Sequence, residues 1–275
     1  MDFKEAFLEK YPDSGVVLAH FEAGTGEKAL WKNVTRKNLV VFVRYIKTIM
    51  AQSSARTYAA MVKSLLNDYK DEVELPKNFE EVLTVKNVKS INVFLNEADI
   101  KKFAGYAPKT KREKYAYCVF LLGCLTVARH SDLIKFTKGN IVESNLVYMS
   151  EKSNTKTFVP ISPIVVRLIN DLKDTESLNE GNYNSTVRKI CKTVRINDNV
   201  KVFRAGKSLE SEKWQFISSH TARRSFATNL YLLGADLFAI SKMMGHADTG
   251  MTEGYICCGL REQNENVMSY FKSFE

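Results

Sequence analysis

His220 and Arg223 stand three residues apart in SSHTARRSF, Gly245 and His246 close an apolar helical run, and Tyr255 lies nine residues beyond His246. Two of the chain's four histidines fall in this stretch. Each residue type brings a defined capability. An arginine offers a planar fork of donors that matches phosphate or carboxylate oxygens and stays charged at any relevant pH. A histidine exchanges a proton near neutrality, and a tyrosine hydroxyl is a nucleophile once a base assists it. Taken singly, each also has a plain structural reading. A helical arginine is commonly solvated, a histidine after a helix-ending glycine caps carbonyls, and a tyrosine before isoleucine is half-buried.

Together these residues resemble the C-terminal signature of the tyrosine recombinase (phage integrase) family, in which H-x-x-R, L-G-H and a tyrosine nine residues later hold the active site. Met244 stands where leucine is usual. The family's first arginine follows an apolar helix and precedes an acidic residue by three positions, and FLLGCLTVARHSDLIKF supplies Arg129 and Asp132 in that arrangement. Its catalytic lysine sits in a β-hairpin turn eight residues before a proline, which selects Lys152 relative to Pro160, with Lys156 as the rival. The implied site is therefore Arg129, Lys152, His220, Arg223, His246 and Tyr255.

The resemblance implies phosphoryl transfer with no cofactor, metal or ATP. The pentacoordinate transition state gathers negative charge on non-bridging oxygens, which the two arginines would meet. Tyr255 would attack the scissile phosphorus, giving a 3′-phosphotyrosyl link and a free 5′-hydroxyl. A phenol, with an ordinary pKa near ~10, needs a base, and the alkoxide leaving group needs an acid. His220 takes the first role and Lys152 the second. His246 positions Tyr255, Asp132 orients a basic partner, and Arg224 turns to another side of its helix, toward a DNA phosphate or an acidic neighbour. The activity implied is site-specific cleavage and rejoining of DNA, for integration or excision of a mobile element. A Xer-like resolution recombinase, a type IB topoisomerase and a catalytically silent DNA-binding protein of the same fold are the rivals.

Helices must carry most of these groups. In NLVVFVRYIKTIM, Leu39, Phe42, Val43 and Ile46 recur at helical steps. SSARTYAAMVKSLLNDY follows with a second stripe and Ser54 as its candidate cap. The pattern dissolves after Pro76. Asn96 is a candidate cap for LNEADIKKF, and an apolar helix is predicted over 115–127. NIVESNLVYMS and TKTFVPIS read as short strands around a Ser153-Asn154 turn, and helical patterns resume until Gly245 ends the run DLFAISKMM. The expected fold is mainly α with a small β-sheet or hairpin: a helical core-type DNA-binding domain over 1–85, a linker over 86–92, and a catalytic domain over 93–275. The residues before Asn33 leave little room for an additional arm-type DNA-binding domain. In the last stretch, Val267, Met268, Tyr270 and Phe271 could form a short helix that docks on a neighbouring protomer or in cis.

Charge points the same way. Lys plus Arg number 40 against 31 Asp plus Glu, a net charge of +9, which favours a polyanionic partner. Arg36, Lys37, Arg56, Lys63, Lys86, Lys89, Lys101, Lys102, Lys109, Lys111 and Arg112 are candidate phosphate contacts. The resemblance implies double-stranded DNA as the partner, a homo-tetramer on paired sites, and accessory DNA-bending proteins. No apolar stretch reaches the roughly 18 residues of a membrane span, and the start MDFKEAFLEKYPDSG lacks the apolar core of a signal peptide. The five cysteines form no C-x-x-C pair, so neither a disulfide framework nor a zinc site is indicated. A cytoplasmic, nucleoid-associated protein of a prokaryotic cell is the expectation.

Overall fold

A computed structural model describes residues 2–86, 90–204 and 207–258. The chain divides into two compact units, Met1–Ser90 with Phe203–Ser208, and Ile91–Val202 with Leu209–Glu275. The first unit is helical: α1 (Phe3–Lys10), α2 (Gly15–Thr25), α3 (Arg36–Ile49), α4 (Gln52–Asp68) and the single turn α5 (Phe79–Val82). The predicted stripe of α3, Leu39, Phe42, Val43 and Ile46, is buried with Phe3, Phe7, Phe21, Leu65 and Leu66. Thr35 caps α3 by accepting from the Asn38 amide at 3.2 Å. Ser54 does not cap α4. That helix starts at Gln52, two residues earlier, behind Ala51 and without a side-chain cap.

The second unit opens with α6 (Glu97–Ala104), where Asn96 accepts from the Asp99 amide at 2.9 Å as its pattern foretold. Then come α7 (Lys111–Thr126), the short α8 (His130–Leu133), strands β1 (Ile141–Val142), β2 (Asn145–Ser150) and β3 (Thr155–Pro160), α9 (Pro163–Asp171) and α10 (Glu180–Thr193). In chain order there follow β4 (Asn199–Arg204) and β5 (Lys207–Glu212), of which residues 203–204 and 207–208 group with the first unit, and then α11 (Ser219–Leu232), α12 (Leu237–Met244) and α13 (Thr249–Glu253) of the second. β1, β2 and β3 form one antiparallel sheet in that order, with Leu146 facing Val159 and Ser150 facing Thr155. The β4–β5 pair, a second small sheet, is not anticipated by the sequence reading.

α7 is buried nearly all round and forms the hub of this unit. Cys118 and Cys124 lie inside it, and burial pushes the Cys118 thiol up to about 12, as befits a packing group rather than a reactive one. Gly123 lets α11 lie against α7, since a Cβ there would sit 2.9 Å from Cβ of Ala222. Among the described residues no helix is long and apolar enough to cross a membrane. The C-terminal segment holding Val267 to Phe271 and candidate contact Lys89 lie outside the described residues.

Candidate active site

Arg129 follows the C-terminal end of α7, and Arg223 lies in the first turns of α11, next to the Ala222 that Gly123 of α7 faces. α7 ends at Val127, a β-branched residue held in the left-handed region at φ 58°, a conformation such residues rarely adopt. Its carbonyl accepts from Nη1 of Arg223, and the Met244 carbonyl accepts from Nη2 at 2.7 Å. Among the described residues Arg223, 2% exposed, forms no ion pair, and its Nε has no hydrogen-bond partner. Arg129 stands two residues beyond Val127 and donates to Oγ of Ser150 at 2.5 Å.

Asp132 organises what surrounds it. Its buried carboxylate accepts from Ser150 Oγ at 3.4 Å and from the Glu151 amide at 3.1 Å. It therefore orients Arg129 through a serine hydroxyl. The same carboxylate fixes the start of the four-residue turn between β2 and β3, in which Asn154 takes the left-handed conformation. That turn carries Lys152. Lys152 lines the cleft, whereas Lys156 stands on β3 with its Nζ 5.3 Å from the Phe158 ring and is not among the residues lining it.

His220 sits in the first turn of α11, behind the Ser218–Thr221 capping box. It keeps an exposed edge at the rim. Enclosure of its ring, then the charges of Arg224 and Arg223, hold it below the ordinary histidine range. Gly245 ends α12 in the left-handed conformation, φ 63°, the stop expected of it. His246 follows, 5% exposed, with Nε2 at 3.1 Å from Nη2 of Arg223 and Nδ1 at 2.9 Å from Oγ1 of Thr252. Because a guanidinium only donates, Nε2 must accept and Nδ1–H must donate to Thr252. Burial, with Arg223 and Arg129 nearby, lowers His246 to about 4.

Tyr255 follows α13. Its ring lies 5.3 Å from that of His246 and 5.4 Å from the Arg223 guanidinium carbon. Thr228 of α11 pins its backbone, donating to the Tyr255 carbonyl at 3.3 Å and accepting from the Cys257 amide at 3.0 Å. All six predicted residues line one cleft of about 510 Å³. It also takes in His130 and Glu180, which the sequence reading did not single out. Ser150, Thr228 and Thr252 were likewise unmarked, since a lone hydroxyl in a strand or helix carries no motif.

Two arginines, a tyrosine and flanking imidazoles around one cleft, in a helical unit with a small sheet, are the arrangement expected of the tyrosine recombinase class. The sequence matches the phage integrase family over residues 81–258, and the chain belongs to that family. It is similar to tyrosine recombinase XerD of Staphylococcus aureus, 25% identical over 234 residues that cover 80% of this chain and 71% of that protein. Among solved structures it shares the fold of the Tn1549 transposon integrase in complex with transposon right end DNA (TM-score 0.65, 14% identity, 98% of this chain and 99% of that one). It shares the fold also of a lambda integrase tetramer bound to a Holliday junction (TM-score 0.61, 15% identity, 93% and 77%). These relationships support site-specific DNA recombination.

Proposed function

We propose that this protein cleaves and rejoins DNA strands at specific sites through a 3′-phosphotyrosyl intermediate on Tyr255, without metal or nucleotide cofactor. The observation that carries the reading is the pair of guanidiniums, Arg129 and Arg223, turned to one cleft without a carboxylate ion-pair partner among the described residues. Cations held only by neutral acceptors, the Val127 and Met244 carbonyls and His246 Nε2 on Arg223 and the Ser150 hydroxyl on Arg129, favour an anion beside them. The DNA phosphodiester supplies that anion, and its charge grows on the non-bridging oxygens in the transition state, where preorganised donors act most strongly.

Tyr255 is the nucleophile, His220 takes its proton, and Lys152 protonates the departing 5′-oxygen. His246 is neutral and already accepts from Arg223, so it acts in the resting state by holding that arginine and buttressing the Tyr255 ring. Among the candidate phosphate contacts, Lys101, Lys111 and Arg112 make exposed ion pairs with Glu97, Asp174 and Glu176. Such pairs are worth at most about 1 kcal/mol, so phosphate can replace the carboxylates. Assembly as a tetramer on paired sites is part of the proposal, supported by the tetrameric lambda integrase of the same fold.

Integration or excision of a mobile element is the purpose we assign; the likeness to XerD favours multimer resolution as the second reading. A nicked suicide duplex tests the chemistry. The unmodified protein should become covalently attached to DNA in the presence of a chelator, and Tyr255→Phe should not. A covalent product that persists in the phenylalanine variant would overturn the reading.

A further inference from the structure

Glu180 is the one carboxylate among the residues lining a cleft otherwise furnished with Arg129, Lys152, Arg223 and three histidines. An acid facing the place where a phosphate should lie opposes the binding of that phosphate, so its presence calls for a compensating role. Its placement is specific. Glu180 is the first residue of α10, behind Asn179 as cap, where the helix dipole favours negative charge. Its Oε1 accepts from Oγ of Ser219 at 3.4 Å, and the Ser219 amide donates to Asn184 of the same helix at 2.8 Å. The N-terminal turns of α10 and α11 are thus clipped together directly beside His220.

We propose that Glu180 is a positioning residue for His220: carried by α10, tied to Ser219 and lining the same cleft, its carboxylate sustains the imidazole as the proton acceptor for Tyr255. This rests on the role given to His220 above. The charges around His220 support it. Arg223 and Arg224 from its own helix and Lys152 from the β2–β3 turn disfavour its protonation, together with burial, and Glu180 is the acid acting in the opposite sense. His130, on α8, feels the charge of the same carboxylate. Without Glu180, the imidazole would be left among cations alone and would be a weaker base.

Glu180→Gln and Glu180→Asp test the idea by two readouts. The first is the titration of the His220 ring proton by NMR in the free protein, assigned with His220→Asn. The second is the pH profile of single-turnover covalent attachment to a suicide duplex. In Glu180→Gln, the His220 midpoint and the acidic limb of the profile should both move to lower pH. The plateau rate should fall about threefold to tenfold, and non-covalent DNA binding should stay equal or tighten. Glu180→Asp, which keeps the charge, should restore the midpoint and the limb at least in part. A His220 titration unmoved by Glu180→Gln would overturn the proposal whatever the activity does. A titration that moves while the limb stays fixed would remove His220 as the base, and the proposal with it.

Discussion

Gly123→Ala is the most direct probe of how the scaffold sets the site. The new Cβ would lie 2.9 Å from Cβ of Ala222 and 3.3 Å from Cδ1 of Leu133. Carbon atoms pack at about 3.5–4.0 Å, so α7 and α11 must part by roughly 0.6–1.1 Å at this point. Neither obstructing group has free space to yield into: Ala222 has no rotamer to change, and the Leu133 side chain is buried. Overpacking of this kind costs about 1–3 kcal/mol, a few degrees in melting temperature for each kcal/mol. The catalytic effect should exceed the loss of stability, because Ala222 precedes Arg223 and α7 leads into Arg129. A misplacement of about 1 Å in a catalytic constellation can cost on the order of a hundredfold. Single-turnover attachment to a suicide duplex, measured well below the melting transition, gives the rate. Adding Ala222→Gly removes the opposing methyl and should restore much of it. A Gly123→Ala protein with unchanged attachment rate, or a double variant no faster than the single, would refute the claim that this contact sets the spacing of the two arginines.

Other expectations follow from the same geometry. Lys152→Ala should slow attachment about a hundredfold or more, Lys156→Ala by less than threefold. A duplex with sulfur as the 5′ leaving atom should rescue the first variant, since a thiolate departs without an acid. Asp132→Ala should cost about 1–3 kcal/mol of stability for the hydrogen bonds it leaves unmade and slow attachment at least tenfold, read by thermal melting and single-turnover kinetics. His246 titrates at about 4 in the folded protein against 6.5 ordinarily, so the unfolded chain binds more protons between those values. Stability should therefore fall as pH drops through that window. Melting temperature should decline from pH 6.5 to pH 4, and less steeply in His246→Gln; an unchanged slope in that variant would contradict the burial described for this ring.

His220, Arg223, His246 and Tyr255 are legible because they sit in one short stretch of fixed spacing, Arg129 and Lys152 only through their resemblance to a family pattern, and the caps at Asn96 and Gly245 because their signals are local. What could not be read depends on distant parts of the chain meeting. Nothing in the sequence near Glu180 links it to Ser219, 39 residues on. Val127 reads as the continuation of an apolar helix, and only packing turns it into the left-handed stop whose carbonyl meets Arg223. α2 was missed because GVVLAHFEAGT is apolar on every side and shows no contrast between faces. α1 did carry a sign, the Asp2–Glu5 capping box, set in a helix of only 8 residues. Ser54 misled because serines suit helix interiors poorly and suggest an edge, while the tertiary packing of Ala55 and Ala59 extends α4 past it.

Asp132 has a reach that an inventory of the six site residues would overlook. Its two carboxylate oxygens hold the serine that steadies Arg129 and the amide that begins the Lys152 turn. One codon thus governs the placement of both Arg129 and Lys152, the proposed charge clamp and the proposed acid. A relative altered only there would keep all six of Arg129, Lys152, His220, Arg223, His246 and Tyr255 yet should exchange strands slowly, and natural attenuation of such proteins can be sought at this position.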